Sequence, residues 1–259
     1  MGLVVAVANQ KGGVGKTTTA VNLAHGLAMA GHEVLLADFD PQANATSALG
    51  AHAEPTPPQN HYLITADTPV RCTLTRLRGL SILPASPGLQ AVSKIMSAAP
   101  DRDFRLKRAI ASHRDAFDYI LIDCPPSMSL FTSNALVAAD RVLVPLQCEY
   151  FAMEGLAQMV NVIRSIKRGP NPLLEIYGIV LTMFDSNVAI NRDVRDEVGR
   201  HFEADVFDTI IVRDVALTEA ASHARTIFEY APRSRAAYAY ASLTREVISD
   251  ARKETGTRV

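Results

Sequence analysis

A short segment near the start of the chain carries the residue types that bind phosphate. It reads Lys11-Gly12-Gly13-Val14-Gly15-Lys16-Thr17 and lies between an apolar run and a helical pattern. Glycines at such a turn let successive backbone N–H groups point at phosphate oxygens, and the following helix adds its positive dipole end. Lys16 can reach the β- and γ-phosphates, and the Thr17 hydroxyl can bind Mg²⁺. The segment predicts a nucleotide phosphate site, the alternative being a glycine-rich turn with a chance lysine.

Two carboxylates follow the next buried run, one residue apart. Asp38 and Asp40 come directly after residues 34–37, and ligands of open α/β sheets bind at the carboxyl ends of the strands. We therefore expect Asp38 to hold a metal-bound water and Asp40 to orient the water that attacks the nucleotide. Asp40 could instead cap a helix that begins near Ala43.

A third carboxylate ends a later apolar run. Asp123 follows residues 119–122 and is followed by Cys124 and two prolines. A carboxylate in this position can assist Mg²⁺ beside a phosphate-binding loop. We expect Thr17, Asp38 and Asp123 to surround the metal together. The alternative for Asp123 is a turn that only ends a strand.

The elements that must position these side chains alternate between strand-length apolar runs and longer helical patterns. Residues 3–8 are apolar throughout, as in a strand buried on both faces. Helices are predicted over residues 17–30 and at the end of the chain, where apolar residues recur at helical spacing (Ala236, Tyr240, Leu243 and Val247). Further strands are predicted at residues 34–37, 80–83, 119–122, 142–146 and 176–183. The alternation predicts an α/β fold with a mostly parallel twisted sheet flanked by helices on both faces.

Composition restricts the class of protein further. The 259 residues are 48% hydrophobic, enough for one large domain over residues 1–259. The formal net charge of −1 excludes a polycation, so binding to nucleic acid or membrane would need a local patch. Three scattered cysteines form no CxxC pair, which favours a reducing cytoplasm. We predict no signal peptide, no spanning helix and a proline-rich surface loop at residues 54–58.

The phosphate loop also departs from the common GxxxxGK[ST] spacing. Gln10 stands where the first glycine would be, and Lys11 is an extra lysine. This form resembles the deviant Walker A loop of the ParA/MinD group of P-loop ATPases. The resemblance covers nearly the whole chain, since residues 42–46, 144–156 and 178–185 look like the ParA proteins of the Soj-like branch. It implies a single deviant Walker A ATPase domain of the P-loop NTPase type.

The resemblance implies a slow ATPase that uses ATP and Mg²⁺ and closes into a homodimer with ATP. Lys11 would reach the nucleotide of the partner subunit; the alternative is that Lys11 is a solvated loop lysine. The catalytic residues would be Lys11, Lys16 and Asp40. The ATP dimer would bind nonspecific DNA, and a ParB-like or cargo-adaptor protein would stimulate hydrolysis. The protein would be cytoplasmic and nucleoid-associated, with no membrane attachment. The implied nucleotide contacts are Lys11, Gly12, Gly13, Val14, Gly15, Lys16, Thr17, Thr18, Met183, Val212, Arg213 and Asp214.

Three positions differ from the family pattern. Val212 replaces a proline that packs beside adenine, which would loosen the base pocket. Ala216 and Asn187 stand where family members carry basic residues that contact DNA. The end of the chain is more basic, so we assign DNA contact to Arg213, Arg233, Arg235, Arg252 and Lys253. The alternative for this basic stretch is a solvated helix face.

Two other functions of the same superfamily remain as alternatives. A MinD-like membrane-associated positioning ATPase would need an apolar and basic amphipathic tail, and residues 250–259 are too polar for that. A nucleotide-dependent metal or electron carrier would need paired cysteines, whereas Cys124 and Cys148 are isolated in the sequence. The sequence therefore favours a switch for DNA partitioning or for positioning intracellular cargo.

Overall fold

The computed structural model describes residues 1–51 and 72–255, and it describes side chains as far as Ala251 in the last helix. The loop predicted at residues 54–58 lies outside these residues. Within them, no helix has the length and apolar composition needed to cross a membrane.

A mostly parallel sheet forms the centre of the described chain. Its eight strands pair in the order β3-β4-β2-β5-β1-β6-β7-β8, and only the short β3 runs antiparallel to its neighbour. The sequence-predicted fold class is confirmed. The strands are β1 (Leu3–Val7), β2 (Val34–Asp38), β3 (Thr73–Leu74), β4 (Leu80–Leu83), β5 (Tyr119–Asp123), β6 (Arg141–Gln147), β7 (Glu175–Phe184) and β8 (Val206–Val212).

Helices cover both faces of the sheet because alternate residues of each central strand face opposite sides. On β1, Val4 and Ala6 belong to one buried cluster and Val5 and Val7 to the other. The first cluster packs under α3 to α7, and the second packs under α1, α2 and α8 to α10. The helices are α1 (Lys16–Met29), α2 (Asn44–Ala48), α3 (Leu89–Met96), α4 (Arg105–Ala111), α5 (Leu130–Ala138), α6 (Ala152–Arg168), α7 (Ala189–Phe202), α8 (Val215–Ser222), α9 (Ile227–Tyr230) and α10 (Arg235–Thr255).

The last helix packs closely against the helix that follows the phosphate loop. A Cβ atom on Gly26 of α1 would lie 2.2 Å from the Thr244 hydroxyl of α10, so only glycine fits there. Tyr240 of α10 is fully buried, and its hydroxyl lies 3.3 Å from that of Thr19. This packing fixes α10 along α1, with Tyr240 near the start of α1.

Two strands were not predicted from the sequence. In β8 only alternate residues such as Phe207, Thr209 and Ile211 are buried, because it is the edge strand and Asp208 faces outward. Its mixed composition hides the apolar run that a central strand shows. The other unpredicted strand, β3, has only two residues.

Candidate nucleotide-binding site

The glycine-rich loop joins the end of β1 to the start of α1. Gly13 and Gly15 have φ angles of 76° and 88°, a left-handed conformation that favours glycine. Gly12 and Gly13 are exposed. The loop is also anchored by β7, two strands away from β1 in the sheet, because the Thr182 hydroxyl donates to the carbonyl of Val14 at 2.9 Å. Local sequence therefore shapes the loop and a distant strand holds it.

Lys16 lies at the first position of α1 and is only 6% exposed. Its Nζ donates to the Lys11 carbonyl across the loop at 2.8 Å. Burial lowers the pKa of Lys16, whereas the nearby carboxylates of Asp123 and Asp40 act in the opposite direction. The ammonium is thus held over the loop, where phosphate would be cradled.

Asp38 and Asp123 end neighbouring strands and pair in register between β2 and β5. Val7, the last residue of β1, also pairs with Asp123, so both carboxylates lie at the sheet edge from which the phosphate loop starts. The structure thereby brings together the residues predicted to surround the metal. The remaining one, Thr17, follows Lys16 on α1 and is half-buried.

The two carboxylates differ in their hydrogen bonds. Both Asp123 oxygens are buried without a hydrogen-bond partner in the structure, and the Thr17 hydroxyl lies near them outside hydrogen-bond geometry. Burial and repulsion from Asp38 raise the pKa of Asp123. Asp38 Oδ2 accepts bonds from the backbone N and hydroxyl of Thr46, at 2.8 and 2.7 Å. Burial raises the pKa of Asp38 to about 6 against these bonds.

Asp40 does not cap the helix that follows it. Its Oδ1 accepts from the backbone N of Gln42 at 2.9 Å, and its carbonyl accepts from Ala43 at 2.9 Å. The short α2 begins at Asn44 with Ala43 in the cap position and no side-chain cap bond. The carboxylate is nevertheless 6% exposed and near enough to Lys16 to influence its pKa. Asp40 therefore closes a turn at the phosphate site.

The donor set of this edge fits a divalent cation held together with phosphate. A bound cation would give the two buried Asp123 oxygens a partner. It would also lower the raised pKa values of Asp38 and Asp123. In the described ranges, no three or more His, Cys, Asp or Glu side chains group closely enough to hold a metal by themselves. Mg²⁺ commonly takes one or two protein oxygens and completes its shell with phosphate and water. Thr17 and Asp123 match that requirement.

A cavity of about 530 Å³ adjoins the loop at Gly15. Its size suits a nucleoside. Met183, at its edge, has a φ of 52°, which is uncommon for a residue other than glycine. Five of the predicted nucleotide contacts besides Gly15 line it, namely Thr18, Met183, Val212, Arg213 and Asp214. Residues that the sequence did not indicate complete the walls: Thr182, Ile211, Val215, Leu217, Thr218, Ala221 and Tyr240.

Asp214 organises one wall of this cavity. Its Oδ1 accepts from Ala216 at 3.1 Å and caps α8, and its Oδ2 accepts from Ala236 at 3.3 Å in the first turn of α10. The backbone N of Arg213 donates to Phe184 at the end of β7 at 3.0 Å. With Val212 in its wall, the cavity is formed in the structure.

Lys11 is not a free solvated lysine. Its Nζ donates to Glu149 Oε1 of the same chain, in the turn between β6 and α6. In the single chain the ammonium of Lys11 is therefore paired with a carboxylate, and its contact with the nucleotide of a second copy stays a prediction. Glu149 was missed because no local pattern joins residues so far apart in sequence.

Three of the predicted DNA-contacting residues lie around the start of α10, and the other two lie near its end. Arg213, Arg233 and Arg235 are exposed. Arg252 and Lys253 belong to the backbone of α10, and their side chains lie outside the described residues. All three cysteines are free thiols, and burial raises the pKa of Cys148 to about 12, which disfavours thiolate ligation there.

Comparison with known proteins agrees with the geometry. A family model described as an AAA domain matches residues 2–176. The chromosome partitioning protein ParA of Myxococcus xanthus is 44% identical over 96% of this chain and 88% of its own. The sporulation initiation inhibitor protein Soj of Bacillus subtilis is 43% identical over 96% and 100%.

A solved structure shows the same architecture with nucleotide. Cobyrinic acid a,c-diamide synthase from Mycobacterium smegmatis, with bound ATP analogue and magnesium, superimposes with a TM-score of 0.77. It is 34% identical and covers 91% of this chain and 98% of that chain. The family model, the two relatives and the loop beginning at Lys11 together show that this chain is a ParA/Soj-like member of the ParA/MinD family of deviant Walker A P-loop ATPases.

Proposed function

We propose that the protein is an ATP-dependent ATPase switch for DNA partitioning or intracellular cargo positioning. The observation that carries this proposal is the meeting of three features at one sheet edge: the phosphate loop, the buried Asp38–Asp123 pair and the nucleoside-sized cavity. The names of the two relatives described above, a chromosome partitioning protein and a sporulation initiation inhibitor protein, support the partitioning role.

ATP fits the site with its phosphates over the loop and its base in the cavity. The loop N–H groups and the Lys16 ammonium bind the β- and γ-phosphates. Mg²⁺ would supply charge neutralisation between the phosphates. The Thr17 hydroxyl and Asp123 would hold it, with Asp38 orienting a water. Asp40 accepts a hydrogen bond from the attacking water and aligns it with the γ-phosphate.

The proposed switch closes when two copies meet around ATP. The ammonium of Lys11 would then contact the nucleotide of the other copy and hold the dimer together until hydrolysis. Slow turnover would let the bound state persist as a timer, and a ParB-like or cargo-adaptor protein would shorten it. We place this cycle in the cytoplasm, on the nucleoid.

Nonspecific DNA is the surface that the ATP dimer would bind. Along α10, Arg235, Tyr238 and Arg245 are exposed and share one helical face. The Glu246 carboxylate is held by β8, because it accepts bonds from Asp208 N at 3.0 Å and from the Thr209 hydroxyl. The outward face is therefore basic, and two copies on one surface would add their weak phosphate contacts.

Binding isotherms on random-sequence DNA, at several salt concentrations with ATP or ADP, test this function. Binding that needs ATP and weakens with salt supports it. The Arg233→Ala/Arg235→Ala variant should bind more weakly. The matched control is Arg195→Ala/Arg200→Ala on α7, since those two arginines are paired with neighbouring acids. Binding that ignores nucleotide and survives the Arg233→Ala/Arg235→Ala change would refute the DNA assignment.

A further inference from the structure

The ion pair between Lys11 and Glu149 joins the deviant-loop lysine to a residue that the phosphate site does not otherwise use. The two side chains are 37% and 35% exposed, so the pair lies at the rim of the site. We infer that Glu149 restrains Lys11 within its own chain and must release it before Lys11 can contact a second copy. The inference rests on the ATP-dependent dimer proposed above.

Main-chain contacts position both partners of the pair. The backbone N of Lys11 donates to Asn9 Oδ1 at 3.1 Å, and Asn9 Nδ2 donates to the Pro145 carbonyl of β6 at 2.8 Å. The Glu149 carbonyl accepts from Ala152 at 2.9 Å where α6 begins. The phosphate loop and the turn after β6 are thus held side by side, and the ion pair forms without displacing either segment.

The pair opposes the proposed action of Lys11 in two ways. Its ammonium is directed toward a carboxylate of its own chain, so it must leave that carboxylate to reach a phosphate on another copy. While paired, its charge is also partly neutralised, which weakens its attraction to phosphate at a distance. Glu149 therefore acts as a positioning residue that favours the single-chain state.

The restraint is weak enough to be released. Partly exposed ion pairs contribute little because water and salt compete for both charges, and a nucleotide phosphate presents more negative charge than one carboxylate. Loss of the pair should therefore favour release of Lys11 by about two- to fivefold per chain. Since a dimer releases two lysines, its dissociation constant should fall by about the square, roughly four- to twenty-five-fold.

A neighbouring apolar patch indicates where a second copy would approach Lys11. Tyr150 and Phe151, the next two residues after Glu149, are 77% and 60% exposed. Their rings contact each other edge to face at 5.0 Å between centroids. A second copy that covered these rings would approach at the position of the ion pair, so burial of the patch and release of Lys11 would occur together.

The first arm of the test measures Lys11 in the nucleotide-free chain. Mass spectrometry would follow acylation of each lysine in wild type, Glu149→Gln and Glu154→Gln. We expect Lys11 to react about two- to fivefold faster in Glu149→Gln only. The acylation rate of exposed Lys94 corrects for differences in reagent. Buried Lys16 should react slowly as long as the chain is folded. An unchanged Lys11 rate in folded Glu149→Gln overturns the ion pair.

The second arm measures the dimer dissociation constant by sedimentation velocity with Mg²⁺ and a slowly hydrolysed ATP analogue. Glu149→Gln should dimerise more tightly by the factor given above, whereas Glu154→Gln, in the first turn of α6, should match wild type. If Lys11 is acylated faster in Glu149→Gln but the dimer is unchanged or weaker, the ion pair exists but does not restrain dimerisation. A wild-type chain that stays monomeric at every concentration contradicts the proposed dimer itself, whatever the acylation result.

Discussion

Asp38 and Asp123 face the same site from neighbouring strands in register, yet only Asp38 is satisfied by protein hydrogen bonds. Thr46 ties Asp38 to α2, and the same threonine hydroxyl accepts from Ala85 at 2.9 Å. Asp123 has both oxygens available. The two carboxylates therefore have separate roles: Asp38 organises the loop after β2, and Asp123 is available to a ligand.

This difference predicts opposite effects of two isosteric substitutions. Asp123→Asn removes an unpaired buried acid, so the free energy of unfolding of the nucleotide-free protein should stay the same or rise by about 1 kcal/mol. Asp38→Asn disturbs hydrogen bonds to Thr46 and should destabilise by about 1–3 kcal/mol. Urea unfolding measures both. Equal losses of stability in the two variants would contradict the separation of roles.

Phosphate binding should depend on the buried ammonium of Lys16. Lys16→Ala removes the charged donor that is held over the loop, so ATP affinity should fall by at least about tenfold. Titration with a fluorescent ATP analogue measures the change. Lys94→Ala, on the exposed surface of α3, is the control. Unchanged affinity in Lys16→Ala would show that the loop is not the phosphate site.

Hydrolysis should depend on Asp40 while binding does not. Asp40→Ala removes the acceptor that orients water, so turnover should fall about 100-fold or more, and ATP affinity should stay within a few fold. Wild-type turnover itself should lie well below the ~10 s⁻¹ of a typical enzyme. Phosphate release at steady state measures the turnover of wild type and variant, and titration with the fluorescent ATP analogue measures the affinity. A variant that hydrolyses ATP at the wild-type rate would limit Asp40 to closing its turn.

Acid should destabilise the fold through His25 of α1. Its Nδ1 lies 2.6 Å from the Thr226 hydroxyl, and burial lowers the pKa of His25, with Glu229 acting in the opposite direction. The unfolded chain then binds a proton near the ordinary pKa of about 6.5 while the folded chain does not. Stability is therefore present above that pH and is lost as pH falls below it.

The corresponding experiment compares urea unfolding of wild type and His25→Gln between pH 7.5 and 5.5. The wild-type free energy of unfolding should decrease more steeply on acidification, by at most about 1.4 kcal/mol per pH unit. His113 also has a pKa lowered by burial, so some slope will remain in the variant. Parallel curves for the two proteins would exclude a contribution from His25.

Features that local sequence determines could be predicted. The loop ending in Lys16 and the carboxylates ending β2 and β5 were found because glycine spacing and apolar runs are local signals. The edge strand β8 could not be predicted, because burial of only one of its faces gives it a mixed polar and apolar composition. Glu149 and Tyr240 reach the site only through strand order and helix packing, which bring together residues that are more than 130 and 220 positions from the loop. Such contacts depend on tertiary structure, and no single segment contains them.

The most direct test of the proposed switch is the mass of the Asp40→Ala protein in solution with Mg²⁺ and ATP, measured by light scattering. This variant should bind ATP without consuming it, so the dimer should accumulate. We predict 28.0 kDa without nucleotide or with ADP, and twice that mass with ATP. The same mass in all three conditions, at concentrations that saturate the site with ATP, would contradict an ATP-dependent dimer.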